Sequence, residues 1–239
     1  MAIQQRFIDY QHNEVILQAE MFWDDTLDQR PAVLVAPTWV GRTDFEGSQA
    51  KRLAELGYVG IAIDMYGKGL VGDGPEQCTA LMMPVVSNRA LLQDRIATAV
   101  AVVRAQSEVL AQPLAAIGFC FGGLCVLDLA RTQTDVAGVV SFHGLLTSPD
   151  NLSGAKNNAK VLVLHGYDDP MATPEAMIAF ASEMTGAGVD WQVHAYGGTS
   201  HAFTNPHAAD PSNGMMYNPI VAERAFVSMQ AFLREALGS

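Results

Sequence analysis

The sequence predicts an α/β protein with a mainly parallel central sheet covered by helices on both faces. Strand-like and helix-like segments alternate, and several strand-like ones are short continuous apolar runs, such as AVLVAP (32–37) and KVLVLH (160–165). Such runs suit strands buried on both faces. The chain has 239 residues, 49% of them hydrophobic and 16% charged, which is enough apolar material for a sizeable core. No repeat, low-complexity tract or linker divides it, so a single domain over residues 1–239 is expected.

The elements follow in order. The first fifteen residues, MAIQQRFIDYQHNEV, are polar throughout, and EVILQAEMFW (14–23) is the first strand expected, with AVLVAP next. Thr43 and Glu46 have capping-box spacing, which satisfies free backbone N–H groups at the start of a helix running to Gly57. VGIAIDMYG (59–67) is the next strand. Residues 67–86, rich in Gly and Pro and carrying Leu81, Met82 and Met83, read as a long lid-like loop. A helix over about 88–108 leads to the strand PLAAIGF, and FGGLCVLDLAR supplies another helix. VAGVVSF, KVLVLH and WQVHAY continue the strands, with helices between them and a last helix near 220–236. Thr173, Pro174 and Glu175 open one of these helices: an N-cap side chain, a proline in the first turn and a carboxylate at the positive end.

Charge narrows the function. Fourteen basic against twenty-five acidic residues give a net charge of -11, which repels nucleic-acid phosphates and anionic membranes. Work on a small molecule is expected. The three cysteines, Cys78, Cys120 and Cys125, make no disulfide framework and fit a reducing compartment. No apolar run approaches the length of a membrane span and the amino end lacks a signal-peptide pattern, so a cytoplasmic location is expected.

Cys120 stands where a buried strand meets a helix, in GFCFGG (118–123). Glycines at 118 and 122 allow a sharp turn, matching the nucleophile-elbow pattern G-x-S-x-G with cysteine in place of serine. The following helix directs free N–H groups and positive dipole character towards the sulfur and favours negative charge on it. Taken alone, the motif leaves a buried structural cysteine equally open. The elbow predicts an acid and then a histidine, each on a loop after a later strand. GYDDP (166–170) follows KVLVLH, and GGTSHAF (197–203) follows WQVHAY. Asp168 and Asp169 both qualify as the acid.

The motifs GFCFGG, HGYDDP and SHAF, supported by PTWVGRTDF and GYVGIAIDMYG, resemble the dienelactone hydrolase family of the α/β-hydrolase fold along nearly the whole chain. The resemblance implies a carboxylic ester or lactone hydrolase with a Cys-His-Asp triad: Cys120 the nucleophile, His201 the base and then the acid, Asp169 the orienting carboxylate. The family pattern G-x-x-D, counted from Gly166, selects Asp169 over Asp168. The expected oxyanion donors are the backbone N–H of Phe121 and one in the loop after AVLVAP, at Thr38. Neither cofactor nor metal is implied.

In members that act on dienelactone the resemblance leads one to expect a glutamate where Thr38 stands and arginines for the substrate carboxylate, one of them four positions after the histidine. Asn205 stands there, and no Lys or Arg lies between Lys68 and Arg89. Arg89 is the one candidate for that role, against a plain exposed helix arginine. Trp39, Met82, Met83 and Phe203 are candidate pocket walls, each equally readable as core. His143 and His165 are read as caps on strand ends that bond backbone, His194 as a strand residue, Cys125 as core and Cys78 as exposed. A non-hydrolytic ligand binder and a thiol redox sensor built on Cys120 are the alternative functions.

Overall fold

The structure is a computed structural model that describes residues 2–111, 114–151 and 158–238; Pro113, which opens the run PLAAIGF, lies outside the described residues. Eight strands form one sheet: β1 (Ile3–His12), β2 (Val15–Asp24), β3 (Ala32–Ala36), β4 (Val59–Ala62), β5 (Leu114–Phe119), β6 (Val136–Phe142), β7 (Lys160–Gly166) and β8 (Trp191–Tyr196). Their spatial order is β1-β2-β4-β3-β5-β6-β7-β8. From β4 through β8 every pairing is parallel, and β1 and β2 add an antiparallel edge. The mainly parallel sheet expected from the apolar runs is therefore present.

Strand periodicity explains how such runs are used. Along β3, Ala32, Leu34 and Ala36 enter one core and Val33 and Val35 the other, all with no exposed surface. Burying a Val or Leu side chain contributes roughly 1.5–3 kcal/mol, so neither face tolerates a polar residue. On the first face lie α3 (Arg89–Arg104), α4 (Phe121–Arg131) and α5 (Pro174–Gly186), through residues such as Ile96, Leu124 and Phe180. α1 (Asp44–Glu55) and α6 (Pro219–Leu237) cover the second with Leu53 and Phe226. The Thr43–Glu46 capping box at α1 is formed. Thr173 precedes α5 in extended conformation, but its side chain makes no capping bond.

Two segments differ from the sequence reading. The polar amino end is a full edge strand, β1, whose inward positions include Arg6 and His12. Both inward polar groups are partnered: Arg6 grips Glu108 at 2.6 and 2.8 Å and lies over the Trp23 ring, while His12 Nε2 meets Asp94 at 2.8 Å. Apolar alternation is hidden where the inward face is polar and paired. The second difference is the expected loop over 67–86, of which Gly74–Val86 is a helix, α2. Pro75 sits in its first turn, and Cys78 and Val85, two turns apart, face inward with Leu81 and Met82 half-buried between them. Pro84 falls in the last turn, and the many flanking glycines mask this helical spacing.

The parallel strands deliver all their following loops to one end of the sheet. Ligands of open α/β sheets bind outside these carboxyl ends, and there the chain places Thr38 and Trp39 after β3, Tyr66 after β4, Cys120 after β5, His143 after β6, Asp169 after β7 and His201 after β8.

Candidate active site

Cys120 joins β5 to α4 with φ 55° and ψ -116°, a backbone region rarely used by residues with a Cβ. Holding it there costs about 1–3 kcal/mol, offset by the surrounding fold. The glycines show how. A Cβ at Gly118 would lie 2.0 Å from the Gly122 carbonyl oxygen, and one at Gly122 would lie 2.2 Å from that of Ala36. Only glycine lets the start of α4 pack against its own strand and the end of β3. The Cys120 N–H donates to Phe142 O at 3.0 Å and its carbonyl accepts from Gly123, so the turn is pinned while the side chain stays partly exposed.

Asp169, 1% exposed, is the acid that meets the histidine: its Oδ2 lies 2.7 Å from His201 Nδ1, and its Oδ1 accepts the Met171 N–H at 2.8 Å. A carboxylate only accepts, so Nδ1 carries the proton and Nε2 is turned to the other side. Asp168 is exposed and contributes a backbone N–H to Thr199 O. The His201 N–H donates to Gly214 O at 2.8 Å and the His201 carbonyl accepts from Met216, which fixes the loop that carries the ring.

His201 Nε2 is buried and has no hydrogen-bond partner among the described residues. Burial alone would lower its pKa, but the charge of the Cys120 sulfur and the hydrogen bond to Asp169 overcome that and push it up to about 10. The direction favours the imidazolium wherever the sulfur carries charge. Two further histidines flank it. His143 is held well below the usual histidine range by burial and then by His201. It packs edge-on to His201 with ring centroids 5.1 Å apart, and its Nε2 meets Thr204 Oγ1 at 2.7 Å. His165 is also lowered by burial, and neither of its ring nitrogens has a hydrogen-bond partner among the described residues. His143 thus bonds a side chain on the loop that carries His201.

The remaining sequence candidates divide. Phe121 is the first residue of α4, so its N–H has no intrahelical acceptor, and it has no other acceptor among the described residues. Thr38 is not free: its N–H donates to Glu46 Oε1 at 3.0 Å. The next residue, Trp39, makes no such bond among the described residues, and its ring is half-buried. Phe203 has no exposed surface and packs on His143 and Tyr196, which removes it as a pocket wall. Arg89 is neither exposed nor available: Nε donates to Asp128 at 2.6 Å, Nη2 to the same fully buried carboxylate and to Thr147 O. A buried Asp128 requires cations, and Arg131 is its second. Met82 is half-buried and Met83 is 46% exposed. Cys125 is core as expected, whereas Cys78 is buried, 2% exposed, on the inward side of α2. His194 Nδ1 meets Ser228 Oγ.

Among the described residues no three His, Cys, Asp or Glu side chains gather as a metal site, and no helix is long and apolar enough to cross a membrane. A groove of about 630 Å³ between α1, α6 and residues 204–207 holds none of Cys120, Asp169 or His201.

The chain is similar to known proteins along most of its length. The model of the dienelactone hydrolase family matches residues 18–237. A protein of Aquifex aeolicus named as a carboxymethylenebutenolidase is 31% identical over 188 residues, 75% of this chain and 79% of its own. A Bradyrhizobium protein named as a 2-oxo-3-(5-oxofuran-2-ylidene)propanoate lactonase is 28% identical over 214 residues, 85% of this chain and 83% of its own. Among solved structures, the dienelactone hydrolase-like promiscuous phosphotriesterase P91 from metagenomic libraries superposes with TM-score 0.93 at 35% identity, covering 99% of both chains.

Proposed function

This chain belongs to the dienelactone hydrolase family and is a hydrolase of esters or lactones; we propose that it works through Cys120, His201 and Asp169 by way of an acyl-enzyme. The observation that carries this reading is the 2.7 Å bond between Asp169 and His201, with Nε2 left unbonded among the described residues and Cys120 near enough to raise the ring's pKa. A ligand-binding scaffold needs no such bond, and a thiol sensor needs no buried acid behind its base.

In the proposed sequence the thiolate attacks the ester carbonyl, and the oxygen that gains charge accepts from the Phe121 N–H and from a second amide after β3. That second donor is Trp39 rather than Thr38, whose N–H is already given to Glu46. As the tetrahedral species collapses, His201 Nε2–H protonates the leaving alkoxide and Cys120 keeps the acyl group as a thioester. The neutral imidazole then takes a proton from water, the hydroxide adds to the thioester, and collapse releases the carboxylic acid and regenerates the thiolate beside the imidazolium.

The imidazolium sets a pH expectation. Its raised pKa keeps the proton on Nε2 below about 10 and removes it above. For alkyl esters, whose leaving group must be protonated, kcat/KM should hold to that pH and then fall about tenfold per unit. Nitrophenyl esters, whose leaving group needs no proton, should lack this limb. An alkyl-ester profile that falls between pH 6 and 7 would show that the ring is not held protonated.

Substrate charge follows from the cations being engaged elsewhere. Arg89 is held by Asp128, Arg42 by Glu20 and Gln18, Lys68 by Asp9, and position 205 is an asparagine. A substrate carboxylate would shed hydration with no bidentate partner to replace it. Neutral short-chain esters and lactones are therefore the proposed substrates, with Trp39 and Met82 as proposed walls. Phosphotriesters, from which the similar P91 enzyme takes its description, are likewise uncharged. In a panel of matched neutral and carboxylate-bearing esters, kcat/KM should favour the neutral ones by tenfold or more. A preference for the anionic ones that collapses in Arg89→Ala would overturn the substrate assignment, and a wild-type protein inert to the whole panel would overturn the hydrolytic reading.

A further inference from the structure

Tyr66 touches both residues that carry the proposed oxyanion donors. Its ring stacks on that of Phe121, centroids 5.7 Å apart and planes 19° from parallel, and its hydroxyl donates to the Trp39 carbonyl at 3.0 Å. Tyr66 is itself fixed, because Asp64 Oδ1 accepts the N–H of Tyr66 at 2.8 Å and of Gly67 at 3.0 Å. Only 6% of its surface is exposed.

The same short loop is gripped from its other side. Glu46, with no exposed surface, accepts the Thr38 N–H at 3.0 Å through Oε1 and the Thr43 N–H and hydroxyl at 2.8 and 2.7 Å through Oε2. Thr38 O accepts from Gly41 at 3.1 Å, closing a turn in which the Trp39 N–H has no acceptor among the described residues.

We propose that Tyr66 is a positioning residue for the oxyanion hole: a strut that sets the separation of the Phe121 and Trp39 amides, with Glu46 as the opposing clamp on Thr38. This rests on the proposed hydrolytic reading and on Trp39 as the second donor. Oxyanion donors act only if they are already aimed where charge develops, because their value lies in needing no reorganisation during reaction. A loop free to drift by an ångström would keep substrate binding and lose transition-state binding. The strut acts through the backbone it holds and touches no reacting atom. Burial first, and then the neighbouring sulfurs of Cys125, Cys120 and Cys78, push the phenol's pKa up, so its hydroxyl remains a donor throughout the working range.

Tyr66→Phe removes the bond to Trp39 and keeps the stack. With a neutral ester, kcat should fall about tenfold or more, below the 10²–10³ of losing a whole donor, with KM within about twofold. The measurement that separates positioning from stability uses a thionoester with sulfur in place of the carbonyl oxygen. Sulfur accepts hydrogen bonds weakly, so its rate depends little on the hole. The oxoester-to-thionoester rate ratio should therefore drop several-fold in Tyr66→Phe, and also in Glu46→Gln, which loosens the loop from the other side. A ratio equal to wild type in both variants overturns the proposal, whatever happens to Tm. Loss of the wild-type activity itself would instead count against the hydrolytic reading.

Discussion

Cys120→Ala should hydrolyse no ester above the rate of the oxyanion hole and binding alone, a loss on the order of 10⁶ in kcat by comparison with nucleophile removal in a serine protease. The fold should survive, because alanine is smaller than cysteine and the turn is held by the backbone bonds of residues 120, 123 and 142 and by Gly118 and Gly122. Cys120→Ser should keep at most a small fraction of the rate. The turn and the ring are placed for sulfur, whose longer bonds set the attack geometry, and a serine hydroxyl must also lose its proton during attack. Intact-mass analysis with a slowly deacylating ester supplies the second readout: the wild type should gain one acyl group on the peptide containing Cys120, and the alanine variant none. Full turnover by Cys120→Ala would end the cysteine mechanism.

The next largest effect is expected at the acid. Asp169→Asn keeps the volume and lets the amide present its N–H₂ to the ring, which favours the wrong tautomer. In a serine triad the corresponding change costs about 10⁴-fold in kcat. Cys120 and Asp169 both hold up the His201 pKa, so losing the carboxylate should also move the alkaline limb below about 10. Asp168→Asn should stay within about twofold of wild type, since that side chain is exposed and the segment is held through its backbone N–H. If Asp168→Asn proved the crippling change, the assigned acid would be wrong by one residue.

What can be read from sequence follows the physics of each signal. Strands such as β3 and β7 are buried on both faces, so apolar runs mark them directly. The elbow at Cys120 announces itself because a glycine is required on each side of it, at 118 and 122. β1 escapes such a reading because its inward face holds Arg6 and His12, whose partners Glu108 and Asp94 lie far along the chain. α2 escapes it because glycines and prolines at its ends outweigh a short run of inward positions. Arg89 is neither the substrate's partner nor a plain exposed helix arginine, since its carboxylate partner Asp128 sits on another helix and meets it only once α3 and α4 pack. Likewise, a backbone donor has no sequence signature: Thr38 and Trp39 differ only in which amide Glu46 takes up.

The order in which the sheet is threaded has a bearing on synthesis. Cys120 lies near the middle of the chain and at the middle of the sheet, whereas His201 follows β8, the edge strand that is last of the eight in sequence. A ribosome adding about 5–20 residues per second delivers the thiol several seconds before the imidazole proposed to activate it. During that interval Cys120 is without its partner, and its backbone need not yet adopt the strained turn. If His201 activates Cys120 as proposed, reactivity arrives together with completion of the sheet, and labelling of Cys120 by a thiol reagent would serve as a clock for folding.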